Sequence, residues 1–182
     1  DPYDIFQLES VLNTDFEALM AERIELSVVD GTILPHLKIR DGGEGCTFLS
    51  GDGRCMIHGA RPGFCRMFPL GRIYENGDFK YFLQVHECGY PNKTKIKVKK
   101  WLGIPELPRY EQFVKDWHFF LKKVQERLAK TENEEIVKSI NMHLLNQFYV
   151  KPYRTSEADV RETDFYEQFY ERLSESKKAL EG

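Results

Sequence analysis

The residues with the most chemistry to offer are Cys46, Cys55, Cys65 and Cys88, all the cysteines the chain has. They follow the spacing Cys-x8-Cys-x9-Cys-x22-Cys within residues 46–88. A thiolate is a soft, charged ligand that suits zinc and iron–sulfur clusters. Glycine and proline punctuate the stretch and its approach, at Gly42, Gly43, Gly45, Gly51, Gly53, Gly59, Pro62, Gly63, Pro69 and Gly71. Backbone that wraps a small centre needs the conformational range of glycine and the fixed turns of proline. Four thiolates on a zinc ion leave a charge of about −2. Arg54, Arg61 and Arg66 stand beside Cys55 and Cys65 and offer guanidinium groups to offset it. Arg61 and Arg66 are the expected cofactor contacts, since hydrogen bonds to sulfur tune a cluster's potential. Cysteine also packs as a small buried hydrophobe or pairs in a redox couple. Placement in glycine-rich loops favours ligation over both. The spacing lacks the close C-x2-C pairs of common zinc fingers and ferredoxins.

Positioning falls to two hairpins and the helices around them. Asp1-Pro2-Tyr3-Asp4 predicts a capped helix running to about Asn13, with Ile5, Leu8, Val11 and Leu12 on one face. Thr14 is the expected cap of a short second helix carrying Phe16, Leu19 and Met20. Apolar runs at 24–29 and 32–39 flank Asp30-Gly31, a hairpin signal, with Pro35 marking the second strand as an edge. Residues 54–57 read as a short strand and 60–67 as one helical turn. Runs at 71–74 and 78–85 flank Asn76-Gly77 and predict a second hairpin that carries the chain from Cys65 back to Cys88. Residues 110–130 give the clearest helix, with Phe113, Val114, Trp117, Phe120, Leu121, Val124 and Leu128 at helical spacing. That stripe is expected to be core and not a ligand pocket. Thr131 and Glu134 suggest a capping box for a helix to about Phe148, whose apolar face is Ile136, Ile140, Leu144 and Phe148. A linker at 149–162 precedes a last helix over 165–180.

Composition sets outer limits. Hydrophobic residues make up 41% of the 182 positions and aromatics 13%, enough for a buried core. The 26 basic and 29 acidic residues leave a net charge of −3, which gives no general attraction to nucleic acid or anionic lipid. No apolar run approaches the roughly 20 residues of a membrane span. With no signal-peptide pattern and few cysteines for a disulfide scaffold, the expected location is cytoplasmic, with no membrane partner. The lysine run Lys93, Lys95, Lys97, Lys99 and Lys100 is expected to be a solvated face beside buried Val98, Trp101 and Leu102. Nucleic acid is not an expected partner, and a protein partner stays open. His58 and His86 lie nearest the cysteines. His86, two residues before Cys88, is a candidate ligand, but a place beside the site or on the surface is the simpler expectation for both. His36 is expected at the surface, and His118 and His143 as ordinary helix residues. Glu132, Glu134 and Glu135 suit the first turn of a helix. No P-loop, dinucleotide fingerprint, H-E-x-x-H or nucleophile elbow is present.

Four runs together carry a family likeness: Cys46-Thr47-Phe48-Leu49, Gly53-Arg54-Cys55-Met56-Ile57-His58, Arg61-Pro62 with Cys65-Arg66 and Phe68-Pro69-Leu70, and Cys88-Gly89. They resemble the YkgJ-type cysteine-cluster family, a zinc- or iron-chelating domain related to flagellin lysine methylases. The opening from Asp1 to Leu8 fits the helix that follows the family's first motif. The likeness covers about residues 1–104 and leaves out the C-terminal helices. Family members carry a further C-x2-C-x2-C-C motif before that helix, whereas this sequence starts at Asp1 without a methionine. The resemblance therefore implies more cysteines upstream. The four present are either a complete site or half of a larger one.

The fold expected is α+β: a small, irregular, two-hairpin cysteine-rich core with helices around it, residues 1–104 forming a metal-binding domain and 105–182 a helical extension packed on it. The function expected is the binding of an iron–sulfur cluster or zinc by the four cysteines, in a redox or metal-delivery role. Iron is preferred because loop-spaced cysteines with arginine and amide donors suit a cluster. A lysine-modifying enzyme and a zinc-stabilised interaction module are the alternatives, so whether the chain is an enzyme stays open.

Overall fold

A computed structural model describes residues 1–43, 45–87, 89, 94–154 and 162–181. Cys88, Lys93 and residues 155–161 of the expected linker lie outside the described residues. The elements in order are α1 (Pro2–Leu12), α2 (Phe16–Glu22), β1 (Ile24–Val29), β2 (Thr32–Leu37), a 3-10 turn (His58–Ala60), α3 (Gly63–Met67), β3 (Leu70–Glu75), β4 (Asp78–Leu83), α4 (Val98–Leu102), α5 (Leu107–Leu128), α6 (Glu134–Leu145), a π-helical turn (Asn146–Val150) and α7 (Glu162–Glu181). The class is α+β, mainly helical with two separate antiparallel hairpins. No helix among the described residues is long and apolar enough to cross a membrane.

The chain divides into two compact units, one made of Asp1–Ala60 and Leu121–Gly182, the other of Arg61–Phe120. In the first, α1 begins as its sequence predicts. The Asp1 side chain accepts from the Asp4 amide at 3.0 Å, Asp4 reaches back to the Asp1 amine, and Pro2 sits in the first turn. Asp15, not Thr14, caps α2 by accepting from the Ala18 amide at 2.8 Å. The Thr14 amide donates to Glu9 O, where left-handed Asn13 closes α1.

The β1–β2 hairpin has the expected register, Val29 opposite Thr32 and Ile24 opposite Leu37. Asp30 and Gly31 both take positive φ, 48° and 82°, the geometry that a two-residue turn matched to strand twist requires. Buried Asn141 of α6 clasps this turn, accepting from the Ile33 amide at 2.7 Å and donating to Gly31 O at 3.1 Å. Gln125 of α5 donates to Val29 O and the Thr32 hydroxyl, each at 3.3 Å.

α6 starts at Glu134 with Asn133 as its cap, since Thr131 spends its hydroxyl on Arg127 O at the end of α5. Ile136 is 43% exposed, so the buried face starts at Ile140. Rings from both ends of the chain form the core beside it. Phe165 lies 5.2 Å from Tyr3, 5.2 Å from Phe6 and 4.5 Å from Tyr153, centroid to centroid.

In the second unit, β3 and β4 pair with Leu70 opposite Leu83 and Glu75 opposite Asp78. Asn76 and Gly77 take the same positive-φ turn as the first hairpin. Alternation puts Arg72, Tyr74, Phe79 and Tyr81 on one face. Against that face, α5 stacks His118 on Tyr74 with centroids 3.6 Å apart and offers the Tyr110 hydroxyl to Arg72 at 3.3 Å. The 98–102 segment folds as a helix. Leu102 is buried, but Trp101 remains 39% exposed and Val98 is only half-buried, so the expected buried trio reduces to one residue.

Candidate metal centre

Two cysteines lie in the loop excursion that follows β2. Cys46 makes an isolated antiparallel bridge with Ile39, and Cys55 makes one with Leu49. The single bridge of Cys55 to Leu49 is all that forms of the expected strand at 54–57. Leu49 links the two cysteines through the backbone: its amide donates to Cys46 O at 3.0 Å, and its bridge partner is Cys55. Both side chains are half-buried, and neither is in a disulfide.

The loop is held from within and from below. The Thr47 amide donates to Lys38 O at 3.1 Å, the Arg40 amide to Gly45 O at 2.9 Å, and the Met56 amide to Phe48 O at 2.9 Å. Phe48 and Ile57 are buried and act as apolar anchors. Arg23 lies over the Phe48 ring and donates to Thr47 O at 2.9 Å. Gly45 has φ 95°, and a Cβ there would stand 3.1 Å from Leu49 Cδ2, so a side chain would strain the backbone and crowd the residue that joins the two cysteines. The Ser50 hydroxyl accepts from the Arg54 amide at 3.1 Å and donates to the Asp52 carboxylate. Arg54 extends into solvent with Asp52 at 3.5 Å.

Cys65 belongs to the other unit. It is exposed within α3. The neighbouring Arg66 Nε donates to Arg61 O at 3.1 Å, and both arginines are half-buried. His58 is exposed in the 3-10 turn, and His86 is exposed with φ 74°. His36 is exposed on β2, His143 meets Ser176 at 3.0 Å, and His118 is packed on Tyr74. Among the described residues, no group of three or more His, Cys, Asp or Glu side chains is gathered so as to hold a metal ion. Cys88, the fourth expected ligand, is not among those residues.

Two polar clusters escaped the reading of the sequence. Arg172 of α7 is 4% exposed. Its guanidinium donates to Gln147 O at 2.9 Å, Lys151 O at 2.7 Å and Pro152 O at 2.8 Å, and lies 3.8 Å from the Tyr153 ring centroid. It thus satisfies carbonyls that the end of the π-helical turn leaves open. Glu9 shares this neighbourhood. Burial first, and Asp15 second, push its carboxyl up to about 7, against the pull of Arg172 and a hydrogen bond from the Phe16 amide. In the other unit, Arg72 lies over the Phe79 and Tyr110 rings, each centroid 5.4 Å away. Burial pushes the nearby Tyr81 hydroxyl up to about 12, so it stays protonated at neutral pH. A signal existed for both. Arg172 continues the Phe165-Phe169 stripe of α7 at helical spacing, and Arg72 falls on the inward positions of β3.

Comparison of the chain with protein families, with curated proteins and with solved structures finds no match.

Proposed function

We propose that this chain binds an iron–sulfur cluster or a zinc ion through the thiolates of its cysteine motif, Cys46, Cys55, Cys65 and Cys88, with iron preferred, and serves in electron transfer or metal delivery. The observation that carries the proposal is the pairing of Cys46 and Cys55 through Leu49 in a loop of turns and single bridges. Both cysteines are half-buried and outside any disulfide. Such a donor set fits a soft metal, because partial burial strengthens thiolate coordination and amides can hydrogen-bond the sulfurs. Arg61 and Arg66 are the proposed cofactor contacts, and the likeness to the YkgJ-type family supports the same chemistry. A bound cluster would supply one-electron chemistry, and a bound zinc ion would supply local order. The protein's own contribution is to hold the ligands.

The test is anaerobic purification, with metal and acid-labile sulfide measured per chain. Iron with matching sulfide supports a cluster, and zinc without sulfide supports the ion. Cys55→Ser should reduce bound metal at least about tenfold, as the loss of one thiolate ligand weakens a site that must order its own loop. Undiminished metal content in Cys55→Ser would remove this cysteine from the site and overturn the reading.

A further inference from the structure

Among its described residues, the second unit exposes apolar side chains that its hairpin and helices leave uncovered. Phe64 and Phe68 stand one turn apart on α3 and its end, and Phe64 is 75% exposed. The Trp101 indole N–H donates to Met67 O at 3.3 Å and Phe68 O at 3.2 Å, which fixes half-exposed Trp101 beside Phe68. On the other flank, Leu83 is paired with Leu70, and the Gln84 amide donates to Pro69 O at 2.9 Å. The end of β4 therefore runs alongside 68–70 and brings exposed Leu83 and 67%-exposed Val85 to the same region. Clustered aromatic and aliphatic exposure of this kind marks a surface that another molecule covers.

Charge says which kind of molecule. Residues 61–120 contain 11 Lys and Arg against 6 Asp and Glu, a net +5 inside a chain of net −3. Lys97, Lys99 and Lys100 are exposed at the start of α4, within four residues of Trp101. Among the described residues none of the three forms an ion pair, whereas Lys115 and Arg109 of the same unit are each within 4 Å of a carboxylate, at 3.5 Å from Asp78 and 3.7 Å from Glu106. A basic border beside an apolar centre is complementary to a chain that carries both acids and large apolar side chains.

We propose that the face built by Phe64, Phe68, Leu83, Val85 and Trp101, bordered by Lys97, Lys99 and Lys100, docks an acidic amphipathic peptide segment of a partner protein. Single-stranded nucleic acid could stack on Phe64, Phe68 and Trp101 but would leave the aliphatic Leu83 and Val85 uncovered, whereas an amphipathic peptide covers all five. A membrane interface takes up one long amphipathic helix, whereas here the apolar side chains come from a hairpin end and two helices of five residues each. The proposal stands on this face alone and does not depend on metal binding.

The test is fluorescence anisotropy with the intact protein and a labelled synthetic peptide that alternates Glu with Leu and Phe. Polyglutamate, the same peptide with Lys for Glu, phosphatidylserine vesicles and oligothymidine are run beside it. The acidic apolar peptide should bind at least about tenfold tighter than polyglutamate or the lysine peptide, with affinity falling as salt rises. Phe64→Ser and, separately, Lys97→Glu with Lys99→Glu and Lys100→Glu should each weaken it about tenfold or more. All four side chains are exposed, and unchanged circular dichroism verifies the fold. Equal binding by both variants would overturn the proposal. So would vesicles or oligothymidine binding more tightly than the peptide and losing affinity through the same substitutions.

Discussion

Glu9 shows how a single side chain can oppose the fold that contains it. Its carboxyl is half-buried at the end of α1, facing Asp15, and the nearby Arg172 is already occupied by three backbone carbonyls. The folded carboxyl titrates at about 7, against an ordinary value of 4.5. A raised acid binds its proton more tightly in the folded state. Its contribution is therefore fully favourable below pH 4.5 and is lost as pH rises through about 7. Glu9→Gln keeps the shape and an acceptor for the Phe16 amide while removing the charge. It should match the parent in urea unfolding near pH 4.5 and exceed it at about pH 8 by about 1 kcal/mol, a figure reduced for the water that reaches the carboxyl. A variant less stable than the parent at the higher pH would show that the Arg172 attraction dominates. The carboxyl's neighbours were not legible in the sequence, because Arg172 arrives from a helix more than 150 residues away along the chain.

At the scale of elements, what reads well from sequence is what local chemistry decides alone. Both hairpins follow from Asp30-Gly31 and Asn76-Gly77, where positive φ is needed at two consecutive positions. The first turn of α1 follows from Asp1, Pro2 and Asp4. Caps with neighbouring candidates are read less well: the Thr131 hydroxyl is taken by Arg127 O at the end of α5 and Asn133 caps α6, and at α2 it is Asp15, next to Thr14, whose side chain accepts from the Ala18 amide. Tertiary clasps are not legible. Nothing in the sequence around Asn141 marks it as a clasp, yet it joins α6 to the β1–β2 turn. Asn141→Ala removes the partner of the half-buried Ile33 amide and of the exposed Gly31 carbonyl, where water can partly replace it, and should cost about 1 kcal/mol. Amide exchange at Ile33 should rise well beyond the change at Val124. If Ile33 keeps its protection, water or a shifted backbone has replaced the clasp, and the energetic assignment to Asn141 fails.

For the whole molecule, order comes from different sources in different regions. Phe165, Phe169 and Leu144 are fully buried, so α6 and α7 have apolar cores of their own. Among the described residues, the loop carrying Cys46 and Cys55 is held by Phe48, Ile57, the Arg23 side chain and backbone bonds, in a stretch where Gly42, Gly43, Gly45 and Gly53 all take positive φ. Fixing such backbone costs on the order of 1–2 kcal/mol per residue. Thiolate coordination is the proposed source of the compensating free energy. The glycines made the segment legible as a loop, and its cysteines carry the proposed ligand role. The arrangement of all four thiols was not legible, because 9 and 22 intervening residues constrain it so weakly. Chelation of the purified protein, or Cys65→Ser, should therefore raise amide exchange across residues 41–71 by about tenfold or more, while residues 110–148 change little. Coordination worth only about 1.4 kcal/mol would already produce that factor wherever exchange proceeds through local opening. If exchange across 41–71 stays at its starting level after the metal has left, the loop is ordered by Phe48, Ile57 and its bridges alone. The thiols would then be structural rather than ligating.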